Sequence, residues 1–265
     1  NDTRAEPDWL GILVGVADAL PRAGMIGGRI CTYDDPDIID SIGMGICKDG
    51  MSRGRFRNRR WPDLDIPEID EILFPSACAA LYKREMIDEI GFFDEDFFAY
   101  AEDSDLGLRG RLAGWEAVAA TRAIIYHKYS RSSGKLSPFK VGLVERNHYW
   151  VTLKNFPVGT LLMQPWYTLL RYGEQARTIL QATGTGGEFQ QGGSRVEIVG
   201  ALLKAVAESL AGIPRMLRKR RQVMTLRKLS MQDFSTLLRR YQISVRELLD
   251  DGMNTTGPAT EMDEP

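Results

Sequence analysis

Between Gly91 and His127 the chain reads GFFDEDFFAYAEDSDLGLRGRLAGWEAVAATRAIIYH, and no other stretch narrows the possible folds as far. Six carboxylates, Asp94, Glu95, Asp96, Glu102, Asp103 and Asp105, fall within twelve residues. Phe92, Phe93, Phe97, Phe98 and Tyr100 are threaded through them. Carboxylates this close repel one another and resist burial beside aromatics unless something compensates their charge. A helix N-terminus, a nearby arginine or a divalent cation each meets that need. The pattern predicts a helix capped by Asp103 or Ser104 and running to about Ala113, with Asp105 in its first turn and Gly114 as its stop. Leu106, Leu108 and Leu112 then serve as apolar anchors. Capping leaves the aromatics before the helix, and His127 beyond it, without a role.

Charge is spread unevenly along the chain. The net charge is only −2, yet acids crowd residues 63 to 105 and bases crowd 215 to 228. Hydrophobic residues make up 43% of the 265, enough for a proper core. Cys31, Cys47 and Cys78 lack metal-ligand spacing and need no disulfide framework, which fits a reducing compartment. No run of 18 apolar residues occurs, so no membrane-spanning helix is expected.

Trp9, Leu10, Leu13, Val14 and Val16 to Leu20 share a helical face that Pro21 ends, and MIGGRICTY reads as an apolar strand. Residues 34 to 65 are irregular, with RGRFRNRRWP at their centre. That run reads either as a solvated loop or as one that meets a pyrophosphate or an acidic acceptor. Ile69 to Leu81 is strand-like with a break at Pro75, and Tyr82 to Ile90 is a short helix ended by Gly91. Residues 116 to 127 form one or two short strands ending at His127. Strands alternating with helices predict an α/β layered domain. A loop rich in Ser, Arg and Gly covers 129 to 138, and Phe139 to Phe156 is helical, stopped at Pro157.

Beyond Pro157 an apolar segment carries Leu161, Leu162, Met163, Trp166, Tyr167, Leu169 and Leu170, too short to cross a bilayer. A Gly-rich linker follows, then an amphipathic helix from Val196 to Leu217 interrupted at Pro214. Arg215, Arg218, Lys219, Arg220, Arg221, Arg227 and Lys228 form a basic cluster with no acid inside it. Such a face suits an anionic lipid surface, or it packs on a partner or on its own domain. Trp166 ahead of it favours the membrane surface. The acidic balance and the absence of a recognition module argue against nucleic acid. The last residues, from Asp250, are polar and expected to be disordered.

Three runs in this order, GFFDEDFFAYAEDSDLGLRGRLAGW, AIIYHKYSRSSG and VERNHYWVTLKNFP, closely resemble the bacterial branch of glycosyltransferase family 2. Relatives there carry G-F-D-E-x-F-F-x-Y-x-E-D-x-D-L-x-x-R-x-x-x-x-G, then an apolar strand ending in His, then an E-R-N segment closing on K-N. The likeness covers residues 1 to 157 well and the basic tail more loosely. It implies a partial GT-A fold, an α/β domain with a mixed sheet and flanking helices, followed by a C-terminal helical, amphipathic extension. The implied division is an acceptor-side half at 1–157, an apolar segment at 158–183, a linker at 184–194, a basic helical extension at 195–249 and a tail at 250–265. Asn1-Asp2-Thr3 falls at the family's short acidic metal motif. A nucleotide-binding half is therefore expected ahead of this chain, which alone would bind nucleotide sugar poorly and be inactive.

The function implied is an inverting transfer of a hexosyl or deoxyhexosyl unit from a nucleoside-diphosphate sugar to a hydroxyl of a cell-envelope or lipid-linked glycan. The implied place is cytoplasmic, peripheral at the inner face of the plasma membrane, on an anionic surface and with no nucleic acid. Inversion needs a base on the acceptor hydroxyl and neutralisation of the departing diphosphate, but no covalent nucleophile. Asp103 matches the second acid of the family's E-D pair and is the implied base, with Glu102 orienting the acceptor. Asp105 caps the helix or pairs with Arg109, beside the donor and acceptor. His127, 24 residues after Asp103, and Asp2 match positions that hold a divalent metal, Mn²⁺ or Mg²⁺. The other reading of His127 is a strand-end histidine bonded to a turn. Arg146 and Asn147 match the family's R-N pair, which contacts the diphosphate or braces the site. Ser76-Ala77-Cys78 falls where relatives carry Ser-Gly-Ala beside the sugar, and the Ala77 methyl departs from that pattern. Phe97, Phe98 and Trp115 either stack on sugars or fill the core. His148 reads as structural. A non-catalytic binding or scaffold protein that keeps the fold is the alternative function.

Overall fold

The computed structural model describes residues 2–128, 137–181 and 195–249. The linker expected at 184–194, the tail at 250–265 and nearly all of the loop at 129–138 lie outside the described residues. The elements are β1 (Thr3–Ala5), α1 (Trp9–Ala19), β2 (Ala23–Thr32), β3 (Ile39–Ser41), β4 (Met44–Ile46), β5 (Ser52–Gly54), β6 (Ile69–Glu71) and β7 (Ala80–Tyr82). They continue with α2 (Arg84–Ile90), α3 (Glu102–Leu112), β8 (Glu116–His127), α4 (Pro138–Asn155), α5 (Val158–Gln181), α6 (Arg195–Leu226), α7 (Met231–Arg240) and α8 (Val245–Leu249).

Two long parallel strands, β2 and β8, form the spine of a six-stranded mixed sheet. Each is long enough to use its outer edge twice. The first half of β8 pairs antiparallel with β6, Ile69 opposite Ala120, and its second half with β1, Thr3 opposite His127. The outer edge of β2 takes β7, with Met25 opposite Tyr82, and then β3, with Ile30 opposite Ser41. Successive strand residues point to opposite faces, so the apolar runs of β2 and β8 feed two cores. Ile26, Val118 and Ala120 pack with Leu13 and Ala17 of α1. Met25, Ala117 and Ala119 join Phe74, Leu106, Leu112, Trp150 and Phe234 in the larger core on the other side. Gly107 lets α3 sit directly on that core, since a Cβ there would fall 2.3 Å from Cβ of Phe74. The result is the expected α/β architecture, a mixed sheet with flanking helices in a GT-A-like arrangement.

Two local expectations are refined and two corrected. Ile69 to Leu81 is two short strands with a 3₁₀ turn at Ala77–Ala79 between them. Residues 116 to 127 are one twelve-residue strand. Neither Asp103 nor Ser104 caps α3, because Ala101 is the N-cap and the helix already begins at Glu102. Phe98, Tyr100 and Ala101 all take left-handed φ values, 63°, 67° and 64°, and that turn places Glu102, Asp103 and Asp105 together in the first helical turn. Pro214 does not interrupt α6. It removes one backbone hydrogen bond, but Trp150 of α4 packs so tightly on Gly212 that the helix is held through the proline.

The acidic stretch is compensated from within the chain. Asp94 takes Lys154 at 2.7 Å and also Lys219; Asp96 takes Arg215 at 3.1 Å and Lys219 at 2.5 Å. Burial raises the Asp94 carboxyl, and its bonds to the two lysines outweigh that and bring it down to about 2. The acidic and basic poles of the sequence thus meet each other. A second buried network joins α5 to α4 and to the loop after β4. Fully buried Arg171 donates to Asp49 at 2.6 Å and to Glu145 at 2.7 Å, and the Tyr172 hydroxyl donates to the same Glu145.

Candidate active site

The C-terminal end of β8, the strand β3, the hairpin of β4 and β5, and the first turn of α3 converge on one cleft of about 370 Å³. The near half of α4 closes it with Lys140, Val144 and His148. Asp103 stands at its edge, half-buried. Its Oδ1 accepts from the backbone N–H of Ser104 at 2.7 Å and its Oδ2 from that of Ala77 at 3.3 Å. Burial raises the Asp103 pKa, and those donors only partly oppose it. Such a shift makes a carboxylate a better proton acceptor near neutrality. Glu102 is raised by burial first and by the neighbouring Asp103 charge second. Among the described residues, its buried Oε2 has no hydrogen-bond partner.

Across the cleft, His127 Nδ1 lies 2.8 Å from Asp40 Oδ2, and Asp40 Oδ1 lies 3.1 Å from Arg57. Nε2 is turned to Asp2, 3.5 Å from its Oδ2. The Asp40 carboxylate fixes the ring orientation of His127 through Nδ1. No group of three His, Cys, Asp or Glu among the described residues could hold a metal ion. Asp2 and His127 are the two donors that stand side by side at this end of the cleft.

The hydrogen bond to Asp40 raises the His127 pKa more than burial lowers it. A histidine raised in this way stabilises the fold when protonated. That contribution is complete below the unfolded value of about 6.5 and is lost as pH rises through the folded value. Asp40→Asn is expected to lower the His127 titration midpoint, followed by NMR of its ring protons. An unchanged midpoint would remove Asp40 from this role.

Ser76 lines the cleft, and Ala77 presents its N–H to Asp103. Asp105, Arg146 and Asn147 do not line it. Asp105 is fully buried against Arg109, Lys154 and Asn155, at 2.8, 2.8 and 2.9 Å. Asn147 Nδ2 donates to the carbonyls of Phe97, Ala99 and Tyr100, and Arg146 to that of Phe97, so both hold the turn that precedes α3. Phe97 is core, Phe98 is exposed, and Trp115 bonds Glu89. His148, buried beside Arg171, also borders the cleft.

Asp40 and Arg57 are the residues that sequence reasoning passed over. Arg57 lay inside the basic run, where Arg53 and Arg57 prove to line the cleft while Arg55 and Arg60 pair with Asp70 and Asp37. The only signal for Asp40 was a short apolar pattern around it, Ile38, Ile39 and Ile42, which marks a buried three-residue strand but not a role.

No family model matches the chain. The relatives found among curated proteins are sugar transferases. They are the N-acetylglucosaminyl-diphospho-decaprenol L-rhamnosyltransferases of two strains of Mycobacterium tuberculosis, 38% identical to it over 144 residues. The match takes in 51% of this chain and 47% of theirs, so the chain spans about half the length of the curated relatives it matches.

Proposed function

We propose that this chain carries the acceptor-side machinery of a metal-assisted, inverting family 2 glycosyltransferase. Its donor is a nucleoside-diphosphate sugar. Its acceptor is a lipid-linked diphospho-sugar of the cell envelope, met at the inner membrane face. The observation that supports this most is the single cleft in which Asp103, with its raised pKa, stands opposite the braced His127. The similarity to a rhamnosyltransferase with a diphospho-decaprenol acceptor adds a deoxyhexosyl donor and a polyprenyl-type acceptor to the reading.

Asp103 accepts the acceptor's hydroxyl proton as that oxygen bonds to the anomeric carbon. The bond from that carbon to the diphosphate breaks, the diphosphate leaves with the electron pair, and the centre inverts. Glu102 holds a neighbouring hydroxyl through its unpartnered oxygen. The N–H groups of Ala77 and Ser104 fix the Asp103 carboxylate against the first turn of α3, whose dipole favours the charged form. Asp2 and His127 would hold a divalent cation, which would neutralise charge on the leaving diphosphate.

The test is nucleotide release from a panel of donors by this chain joined to a nucleotide-binding half, with Mn²⁺ and with chelator, in the presence of membrane extract as acceptor. Metal-dependent release from one donor is expected. Absence of release from every donor, with the protein folded, would leave a non-catalytic binding protein in its place.

A further inference from the structure

The amphipathic helices α5 and α6 turn apolar faces away from the core. Leu162, Trp166 and Leu169 on α5, and Val199, Leu203 and Leu210 on α6, are each more than half exposed. Spacings of three, four and seven residues put each set on one side of its helix. Both helices flank α4, and the gap between them is an apolar groove of about 480 Å³ with Trp150 and Leu153 among its lining.

The polar groups along this groove are bonded within the protein. Gln164 Nε2 donates to Thr168 at 3.2 Å, Ser209 Oγ to the Ala205 carbonyl at 2.7 Å, Trp150 Nε1 to the Ser209 carbonyl at 3.3 Å, and Tyr172 to Glu145. A peptide entering the groove would leave its own backbone groups without partners. A hydrocarbon chain has none to satisfy. Charge points the same way: Arg218 and Arg221 are exposed just beyond the apolar stretch of α6, as at the edge of an anionic surface. The rest of the basic cluster is largely committed internally. Arg215, Lys219 and Lys228 pair with Asp96, Asp94 and Glu89, and Arg220 donates to the Leu153 carbonyl.

We propose that α5 and α6 lie in the head-group layer of a phospholipid bilayer, apolar faces inward, with acyl chains filling the groove between them. Neither crosses the bilayer, since no helix among the described residues is long and apolar enough. The surface deepens the lipid-linked acceptor reading above. It assigns attachment mainly to apolar insertion, with the arginines adding a salt-sensitive part.

The experiment is co-sedimentation of the protein with phosphatidylcholine vesicles, with and without phosphatidylglycerol, at low and high salt. Binding to neutral vesicles that survives high salt is expected. Brominated acyl chains should quench tryptophan fluorescence, a signal that Trp166→Phe reduces and that Trp150 at the groove retains in part. The combination of Leu162→Gln, Leu203→Gln and Leu210→Gln, all at exposed positions, should weaken binding by about tenfold or more. The pair Arg218→Gln and Arg221→Gln should weaken only binding to anionic vesicles at low salt, by roughly fivefold per arginine. Binding lost in high salt, or indifferent to the leucine changes, would overturn the proposal. So would a dimer in sedimentation equilibrium that the leucine changes dissolve, because a second copy would then own this face. Transfer to a water-soluble, short-chain acceptor, by the chain joined to a nucleotide-binding half, is read separately. Transfer without vesicle binding defeats this surface alone, and vesicle binding without transfer defeats the catalytic reading alone.

Discussion

Asp103→Asn is expected to lower the turnover number for sugar transfer by roughly 10²–10⁴-fold, the range over which a positioned base contributes. The substitution is nearly isosteric. An asparagine oxygen can still accept from one of the two N–H groups, Ala77 or Ser104, that hold the carboxylate. What it removes is the capacity to take a proton. Loss should therefore fall on kcat with little change in KM for the donor, and the thermal midpoint should stay close to that of the parent. Glu102→Gln should act differently, raising KM for the acceptor more than it lowers kcat, because its role is to hold a hydroxyl. The raised Asp103 pKa also has a signature. The acid limb of the kcat/KM profile should inflect above the ordinary aspartate value of about 3.9 and vanish in Asp103→Asn. A kcat for Asp103→Asn within threefold of the parent would assign the base elsewhere.

The largest stability effect is expected from Arg171→Leu. Arg171 is fully buried and its guanidinium bridges Asp49 and Glu145, which are buried as well. Leucine fills much of the volume but strands two carboxylates away from water. Removing one partner from a buried ion pair costs about 3–5 kcal/mol, which for a chain of this size is a fall of about 10 °C in Tm. Adding Asp49→Asn and Glu145→Gln to the same chain should recover part of that loss, since the stranded charges are then gone. Calorimetry of the two variants beside the parent decides it. A Tm for Arg171→Leu within about 2 °C of the parent would show that water reaches the network.

Much of this architecture could be read from periodicity. The helical face from Trp9 to Leu20, the apolar strand around Met25 and the helix from Phe139 to Phe156 correspond to α1, β2 and α4, because each has a regular apolar repeat and a proline close to one end. Where the pattern was short, reading failed. Ile69 to Leu81 gave no clue that its ends pair with different strands, one on β8 and one on β2, since the register (Ile69 with Ala120, Tyr82 with Met25) is set by partners far along the chain. Pro214 looked like a break because propensity is local, whereas the packing of Trp150 on Gly212 is not.

The site divides in the same way. Asp103, Glu102, Ser76 and His127 were picked out through motif resemblance, and the structure sets all four on one cleft. Asp105 carried the same motif signal but lies fully buried in an ion-pair network, because a helix brings Arg109 beneath it one turn later. Asp40 was out of reach. Its partnership with His127 spans 87 positions and leaves no trace in either neighbourhood.

The pairing of Lys219 and Arg215 with Asp94 and Asp96 limits how this protein can be recombined. The two ends of that contact are more than a hundred positions apart, yet each is the other's counter-ion. A chimaera that took the stretch ahead of α3 from one homologue and α6 from another would inherit carboxylates matched to foreign cations. Crossovers that keep both segments from a single parent should express as folded protein far more often than crossovers that separate them.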